Sequence, residues 1–402
     1  MTLTIQSPLC ALFLLVLVLP LLRPIPTDAA TKGKYLVYVG TYTNHGSKGL
    51  YAFRFDARMG QATVLGVAAE SADPVFFTVD ASGHFLYAVN EISTYEGQPA
   101  GAVSAFGIDS GSGKLSLLNQ VSSRDVGPAH ITLDQAGKYA LVSNYPRGSV
   151  AVFPVLKDGR LGEVSAFVQH GGPGGPDKER QEGPHAHAIA LSSDNRFALV
   201  ADLGLDQLFT YPFDSSKGTL GPDPLITKTN PGSGPRHLVF SPSGKLLYVI
   251  NELQSSVATY AYDPATGGLR ELSTTSTLPD GFSGPSFASE IALHPSGNFL
   301  YASNRGHDSI AVFSIDPIKG TLTKVEVVST NGKTPRSFAV DPTGSWLLAA
   351  NQQSDNVVVF RIHPKTGRLT PTGQVLQITS PACVQFVPLQ STARFFVAPP
   401  SQ

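Results

Sequence analysis

Histidine, arginine and glutamate residues at the ends of short apolar segments are the residues of this sequence most able to do chemistry. They are His187, Arg236, Glu252, Arg305 and Arg336. A guanidinium can hold a phosphate or a carboxylate through paired hydrogen bonds, and an unperturbed imidazole titrates near neutral pH. If the fold brings these residues together, they would bind an anionic ligand beside an acid–base group.

The segments that must position these residues recur seven times along the chain, at intervals of about fifty residues. In each repeat an apolar segment such as PRHLVFS (235–241) leads through a tight turn into a second one such as GKLLYVIN (244–251). These segments are rich in β-branched and aromatic residues, which predicts strands buried on both faces. Two further segments complete each repeat. The pattern therefore predicts an all-β fold, a seven-bladed β-propeller with four-stranded antiparallel blades.

The two ends of the repeat array complement each other. The array begins on the second strand of a hairpin, KYLVYVG (34–40), and ends on a first strand, PACVQFV (381–387). Pairing these two strands would close the ring and remove its last free sheet edges. We therefore predict that the N- and C-terminal strands share one blade.

Each predicted hairpin places two residues at one mouth of the central channel. One lies near the start of its first strand (the inbound position), and the other follows its second strand (the outbound position). The inbound positions hold Val75, Ala129, His187, Arg236, Ser289, Arg336 and Ala382. The outbound positions hold Thr41, Glu91, Tyr145, Leu203, Glu252, Arg305 and Gln352. These residues differ from blade to blade, as expected of a site that does chemistry rather than of a scaffold.

The residue just before the outbound position is nearly constant. It is asparagine or aspartate in six repeats, at positions 90, 144, 202, 251, 304 and 351. A short polar side chain that recurs at a strand end favours a structural hydrogen bond to the backbone. We predict that role for this position.

Three more residues are expected beside the mouth: His185, His237 and Glu290. The segment GGPGGPDKERQEGP (171–184), which contains Arg180, could cover the mouth as a flap or could be a solvated surface loop. The arginines could also bridge neighbouring blades through glutamates such as Glu91 and Glu252. Anion binding and bridging are compatible with each other.

A metal site at the mouth is the weaker interpretation. His185 and His187 are two residues apart and could bind a metal ion from one face of a strand. The neighbouring arginines would repel a divalent cation. We therefore expect no metal.

Composition and the N-terminus bear on partners and location. With 29 basic and 30 acidic residues the net charge is −1, which argues against a nucleic-acid partner. The apolar run at 9–22 predicts a signal peptide over residues 1–30 and export to the periplasm or the medium. The first eight residues lack Lys and Arg, so an uncleaved anchor or a misassigned start codon, with a cytoplasmic protein, stays open. Residues 31–402 are predicted to form a single propeller domain, a monomer with no membrane contact beyond the leader.

Three longer segments carry a resemblance to a known family. They are YVGTYTNHGSKGLYAFRFD (38–56), ERQEGPHAHAIALSSDNRFALVADLGLDQLFTYPFD (179–214) and GPRHLVFSPSGKLLYVINEL (234–253). They are similar to the seven-bladed propeller lactonases, a group that includes bacterial 6-phosphogluconolactonase of the propeller type and the fungal carboxy-muconate lactonising enzyme. The resemblance covers residues 34–390. It implies a cofactor-free enzyme that acts on a lactone at the mouth of the channel.

The resemblance also implies roles for single residues. The family's histidine, arginine, glutamate and arginine match the PHAH, PRH, NE and SNRG motifs, which makes the implied catalytic residues His187 (with His185 as the alternative), Arg236, Glu252 and Arg305. The residues expected to bind the substrate are His185, Arg336, His237 and Arg180.

The implied reaction is the hydrolysis of 6-phospho-glucono-1,5-lactone to 6-phosphogluconate, a step of carbohydrate metabolism. His187 would be the general base, while Arg236 and Arg305 would stabilise the oxyanion and hold the phosphate. Glu252 would orient an arginine or stabilise the protonated histidine. Two alternatives stay open: a muconate-type cycloisomerase that uses the same residues to form a lactone, and an exported non-catalytic propeller that binds a peptide or a glycan. A phosphorylated sugar is expected in the cytoplasm, so the predicted export leaves the substrate open.

Overall fold

The computed structural model describes residues 33–389, so the predicted signal peptide at 1–30 lies outside the described residues. Within this range the chain forms seven antiparallel β-sheets and a short 3₁₀ turn at Gln352–Ser354. The innermost strands of neighbouring sheets contact each other in cyclic order around a central channel. The prediction of an all-β, seven-bladed propeller is confirmed. Residues 33–389 contain no helix with the length and apolar character needed to cross a membrane.

The strands follow one another from the channel outward, blade by blade. Blade 1 contains β1 (Lys34–Thr41), β2 (Gly49–Asp56) and β3 (Gln61–Glu70). Blade 2 contains β4 (Phe76–Val79), β5 (Phe85–Asn90), β6 (Ala102–Ile108) and β7 (Leu115–Ser122). Blade 3 contains β8 (Pro128–Leu133), β9 (Tyr139–Asn144), β10 (Ser149–Pro154) and β11 (Ala166–Gln169). Blade 4 contains β12 (Ala186–Leu191), β13 (Phe197–Asp202), β14 (Gln207–Asp214), the two-residue β15 (Thr219–Leu220) and β16 (Leu225–Lys228).

The remaining blades repeat this order. Blade 5 contains β17 (Pro235–Phe240), β18 (Leu246–Asn251), β19 (Ser256–Tyr262) and β20 (Leu269–Ser276). Blade 6 contains β21 (Phe287–Leu293), β22 (Phe299–Arg305), β23 (Ser309–Ile315) and β24 (Leu322–Ser329). Blade 7 contains β25 (Pro335–Val340), β26 (Trp346–Asn351), β27 (Asn356–Ile362) and β28 (Leu369–Gln377). The last strand, β29 (Pro381–Pro388), is the innermost strand of blade 1.

The ring is closed by the two terminal strands of the array. Strand β29 pairs antiparallel with β1, from Tyr35 opposite Pro388 to Gly40 opposite Cys383. On the other side of this blade, the Trp346 indole donates a hydrogen bond of 2.7 Å to the carbonyl of Ala57. The predicted pairing of the N- and C-terminal strands is confirmed, and it leaves the inner strands without a free edge.

The hydrophobic core consists of seven clusters, each packed between two adjacent blades. Buried tyrosines cross several of these interfaces. The hydroxyl of Tyr248, for example, donates to the carbonyl of Gly320 at 3.1 Å, and that of Tyr301 donates to the carbonyl of Gly367 at 3.0 Å. Buried apolar area and interblade hydrogen bonds together fix each blade against its neighbours. The rim of the channel therefore has a defined geometry.

The recurrent asparagine has the predicted structural role in several blades. Its amide donates to a backbone carbonyl in blades 2, 3, 6 and 7, the carbonyls being those of Ala72, Ser123, Thr277 and Thr330. Blade 4 differs. Here the recurrent residue is Asp202, and its partner is His170 instead of the serine or threonine found in blades 3, 6 and 7. Asp202 Oδ2 lies 2.6 Å from His170 Nδ1, and both side chains are fully buried.

Candidate active site

A backbone irregularity aims the inbound residues at the channel. In six of the seven blades the pairing of the two hairpin strands shifts register at the inbound position, so that this residue is skipped in the ladder. The skipped inbound residues are Ala129, His187, Arg236, Ser289, Arg336 and Ala382, and in blade 6 Glu290 is skipped as well. Such a β-bulge leaves a residue unpaired and redirects its side chain. Repeat alignment predicted which residues these are, whereas the bulge itself has no signal in the hydrophobic pattern.

The inbound and outbound residues meet around a cavity of about 120 Å³ at the mouth of the channel. The residues that line it are Glu91, Ala129, Tyr145, Arg180, His187, Glu252, Arg305 and Arg336. The cavity wall therefore contains three arginines and two glutamates. Its polar character fits a small, charged or hydroxyl-rich ligand.

Glu252 is the centre of one side of the cavity, which we call the Glu252 wall. Its Oε2 lies 2.8 Å from Nη2 of Arg305 and 3.0 Å from Nε of Arg236, and its Oε1 accepts a hydrogen bond from Arg180. The carboxylate is 3% exposed. Burial alone would raise the pKa of Glu252, but the three guanidiniums lower it to about 2. Glu252 is consequently a permanent anion that holds three cations at one point.

Arg236 and His237 lie behind this wall and do not line the cavity. Arg236 Nη1 donates to the carbonyl of Ser289 at 2.6 Å and lies 3.2 Å from Nε2 of His237. His237 Nδ1 is in turn 2.9 Å from Oε1 of Glu290. Because the guanidinium is a donor only, it makes Nε2 the acceptor and places the proton of a neutral His237 on Nδ1. The structure thus brings Arg236 to the predicted site as a residue that positions Glu252.

His187 lines the cavity, and its environment keeps it neutral. Burial, followed by the positive charge of Arg236, lowers the pKa of His187 well below its usual range. Its Nδ1 is buried without a hydrogen-bond partner among the described residues. Burial and the surrounding arginines therefore disfavour an imidazolium at this position.

His185 belongs to the outer rim. Its ring stacks on Tyr145 with centroids 4.6 Å apart, and its Nδ1 lies 3.1 Å from the Tyr145 carbonyl. Its Nε2 faces the exposed carboxylate of Glu182 at 3.2 Å. His185 supports the tyrosine that lines the cavity, whereas His187 is the histidine of the PHAH motif that faces the cavity itself.

The segment predicted as a flap contributes Arg180 to the cavity. It is anchored by Gln181, whose buried amide donates to the carbonyl of Leu203 at 2.8 Å. The backbone N–H of Gln181 also donates to the carbonyl of Asp177 at 2.7 Å. In this structure the segment forms part of the cavity wall, and Arg180 reaches Glu252 from it.

The opposite side of the cavity, the Glu91 wall, consists of Tyr42, Glu91 and Arg336. The hydroxyl of Tyr42 donates to Oε2 of Glu91 at 2.7 Å, and the Arg336 guanidinium stacks over the Tyr42 ring at 5.2 Å. Nη2 of Arg336 is 3.9 Å from Glu91 Oε2, the nearest carboxylate oxygen to it among the described residues. Arg336 is thus not neutralised by a close carboxylate as Arg305 is.

Part of the cavity lining was predicted from the sequence. His187, Glu252, Arg305, Arg336 and Arg180 line the cavity as expected for a shared pocket. Glu91 and Tyr145 also line it, and Tyr42 contacts Glu91 without lining the cavity. Glu91 and Tyr145 occupy outbound positions, which was the available signal, but no chemical pattern singled them out. Within residues 33–389, no three His, Cys, Asp or Glu residues are arranged to hold a metal ion.

Comparison with known proteins agrees with the family resemblance seen in the sequence. The family model described as "Lactonase, 7-bladed beta-propeller" matches residues 36–386. A 6-phosphogluconolactonase of Bacillus subtilis is 37% identical over 310 residues, which are 76% of this chain and 84% of that protein. A 6-phosphogluconolactonase of Formosa agariphila is 35% identical over 76% of this chain and 86% of its own length. The solved structure of a periplasmic gluconolactonase from Pseudomonas aeruginosa superposes with a TM-score of 0.83 at 35% identity, covering 89% of this chain and 100% of that one.

Proposed function

Because this chain belongs to the seven-bladed β-propeller lactonase family, we propose that it hydrolyses the ring ester of 6-phospho-glucono-1,5-lactone. In this reaction water adds to the lactone carbonyl carbon, the ring C–O bond breaks, and 6-phosphogluconate leaves. The observation that carries the proposal is the Glu252 wall, in which Glu252 fixes arginines at the edge of a small polar cavity.

The arginines have different roles, because they have different positions relative to Glu252 and the cavity. Arg305 lines the cavity and can donate to the oxyanion that forms on the carbonyl oxygen. Removal of one such donor typically costs about 10²–10³ in kcat. Arg236 is buried behind Glu252 and keeps that carboxylate in place. The positions of the implied catalytic residues are therefore compatible with a hydrolytic role, but their roles differ from one another.

Arg336 is the residue that we assign to the anionic group of the substrate. It lines the cavity, and the nearest carboxylate oxygen to it among residues 33–389 is 3.9 Å away. A guanidinium without a close carboxylate keeps donors for a phosphate, which accepts paired hydrogen bonds. The cavity would then hold the lactone between Arg305 and Arg336, with the phosphate at the Arg336 guanidinium.

A second candidate substrate is unphosphorylated glucono-1,5-lactone. The observation that favours it is the similarity to the periplasmic gluconolactonase of Pseudomonas aeruginosa, together with the apolar segment at 9–22. An exported enzyme would meet unphosphorylated lactones outside the cytoplasm. We propose export on the same two observations.

The test is hydrolysis of freshly prepared 6-phospho-glucono-1,5-lactone and of glucono-1,5-lactone, with the spontaneous rate subtracted. The Arg336→Gln variant is expected to lower kcat/KM for the phosphorylated lactone at least about tenfold and to affect the other lactone much less. Arg270→Gln on the exposed side of β20 is the matched control and should equal the parent protein. A parent protein that hydrolyses only the unphosphorylated lactone would select the second candidate, and one that hydrolyses neither would refute lactone hydrolysis.

A further inference from the structure

The two glutamates of the cavity have opposite environments. Glu252 meets three guanidiniums, and they hold its pKa at about 2. Glu91 has the Arg336 guanidinium at 3.9 Å and the neutral Tyr42 hydroxyl beside it, and its side chain is 26% exposed. The charges of Asp73 and Arg236 also act on it, in opposite directions. Burial raises the pKa of Glu91 above its ordinary value, although Arg336 and the Tyr42 hydroxyl oppose that change. When the environments of two carboxyl groups in one site move their pKa values apart, one group commonly stays an anion and the other carries a proton.

The hydrogen bonds of Glu91 leave one of its oxygens available. Oε2 accepts the Tyr42 hydroxyl at 2.7 Å, and this is also the oxygen nearest Arg336. The other oxygen, Oε1, makes no hydrogen bond to any of the described residues. Since Glu91 lines the cavity, it can present an oxygen to a water molecule or a substrate hydroxyl there.

The alternative proton acceptor, His187, is less suited to gain a charge. A histidine that accepts a proton becomes a cation, and His187 would do so near Arg236, Arg305 and Arg336. Its buried Nδ1 has no partner within residues 33–389 that could stabilise that cation. A carboxylate that accepts a proton becomes neutral, which a buried cavity wall favours.

We propose that Glu91 is the acid–base residue of the lactonase reaction, an inference that rests on the proposed function. One O–H proton of the attacking water passes to Glu91 while the water oxygen bonds to the carbonyl carbon. The tetrahedral intermediate then collapses, the ring C–O bond breaks, and the proton on Glu91 passes to the leaving alkoxide oxygen. The carboxylate is restored, and no other reactant is consumed.

Tyr42 and Arg336 act on this step through Glu91. Both stabilise the carboxylate form, because the hydroxyl donates to it and the guanidinium attracts it. They favour the ionised form of Glu91, whereas burial makes its carboxylate more basic. Removal of the Tyr42 hydroxyl should therefore raise the pKa of Glu91 further.

The experiment is the pH profile of kcat between pH 4 and 8 for the full-length protein, with the lactone that the parent protein hydrolyses. The parent protein should lose activity on the acid side as Glu91 becomes protonated, with a midpoint above the ordinary glutamate value of about 4.3. Glu91→Gln should lower kcat by about 10²–10⁴ and abolish this acid limb. Tyr42→Phe should move the acid limb upward by about one pH unit and should lower the plateau kcat far less than Glu91→Gln does.

Two variants supply controls. Glu70→Gln, in an exposed ion pair with Lys48, should leave kcat and the acid limb unchanged. His187→Gln separates the two candidate bases, because its acid limb should stay at the parent position whatever its rate. An acid limb lost in His187→Gln and retained in Glu91→Gln would overturn the proposal.

The outcomes also separate this inference from the proposed function. If the parent protein hydrolyses a lactone and Glu91→Gln retains kcat with a raised KM, Glu91 only supports Arg336 in binding, and the acid–base role is refuted while the function stands. If the parent protein hydrolyses no lactone, both proposals fail. Thermal unfolding of Glu91→Gln reports whether that variant is folded, and the Tyr42→Phe shift tests the role independently.

Discussion

The two ends of the channel differ in how strictly they repeat. At the end opposite the mouth, the hairpin turns of blades 2, 3 and 7 are alike: an aspartate Oδ1 accepts two successive backbone N–H groups four and five residues later. The three aspartates are Asp80, Asp134 and Asp341. At the mouth, the inbound residues of the same blades are Val75, Ala129 and Arg336.

The difference separates folding from chemistry. The turn end performs one task in blades 2 to 7, which is to reverse the chain, and blades 2, 3 and 7 share one solution to it. The mouth must surround a single ligand that lacks sevenfold symmetry, so each blade contributes a different group. A position that repeats is therefore a scaffold position, and one that varies at the mouth is a candidate for function.

The largest effect is expected at the varied end, from Glu252→Gln. The substitution leaves the guanidiniums of Arg180, Arg236 and Arg305 close together without their common anion. Loss of one partner from a buried ion pair costs about 3–5 kcal/mol of unfolding free energy. Lactone hydrolysis should fall at least about 10²-fold, because Arg305 is no longer held in place. Urea denaturation and initial rates measure the two effects.

The loss of stability expected in Glu252→Gln depends on pH. The pKa of Glu252 is about 2 in the folded protein, below the ordinary value of about 4.3. Its stabilisation is therefore present above about pH 4.3 and is lost as the pH falls toward 2. The difference in stability between the parent protein and Glu252→Gln should shrink over that interval. Glu70→Gln at the surface should change stability by less than about 1 kcal/mol, and an equal effect from the two substitutions would contradict the account.

Much of this architecture could be predicted from the sequence, because strands, turns and repeats follow from local patterns. The closure of β29 on β1 followed from the segments present at the two ends of the array. The residues at the mouth followed from their place in the repeat. The different charge environments of the two glutamates could not be predicted, because they depend on which glutamate contacts the arginines in the folded protein. Glu91 and Glu252 occupy equivalent outbound positions, and only packing in three dimensions gives them different partners.

An intermediate effect is expected where a scaffold position itself breaks the repeat, at the His170–Asp202 pair of blade 4. Asp202 also accepts the backbone N–H of His185 at 2.8 Å, so the pair adjoins the rim of the cavity. His170→Thr alone leaves a buried aspartate without its imidazole and should cost about 2–3 kcal/mol. Adding Asp202→Asn recreates the threonine–asparagine pair that blade 6 contains as Thr277 and Asn304.

A double-mutant cycle by urea denaturation measures the coupling of this pair. We expect a coupling free energy of about 1–3 kcal/mol, since the double variant regains the hydrogen bonding of its neighbours. Two effects that simply add would show that His170 and Asp202 do not depend on each other. Unchanged lactone hydrolysis in the folded double variant would assign the pair to the scaffold alone.

The smallest effects on catalysis are expected at the repeated end, where two glycines in equivalent turns provide the test. Gly137 and Gly344 have φ of +65° and +71°, a region that costs a residue with a Cβ atom about 1–2 kcal/mol. A Cβ atom at Gly137 would meet nothing within 4 Å, so Gly137→Ala should cost only that backbone amount. At Gly344 it would lie 2.4 Å from Nε2 of His294, whose ring is held at 2.8 Å from the Gly344 carbonyl.

Gly344→Ala should therefore cost about 1–3 kcal/mol more than Gly137→Ala, the typical penalty of overpacking. Urea denaturation of the two variants isolates this steric difference, because the turns share the same backbone conformation and the same aspartate hydrogen bonds. Both variants should keep the kcat of the parent protein, since the turns lie at the end of the channel away from the cavity. A fall in kcat in either one, with the fold intact, would mean that the repeated end also controls the chemistry, and the division between scaffold and site would fail.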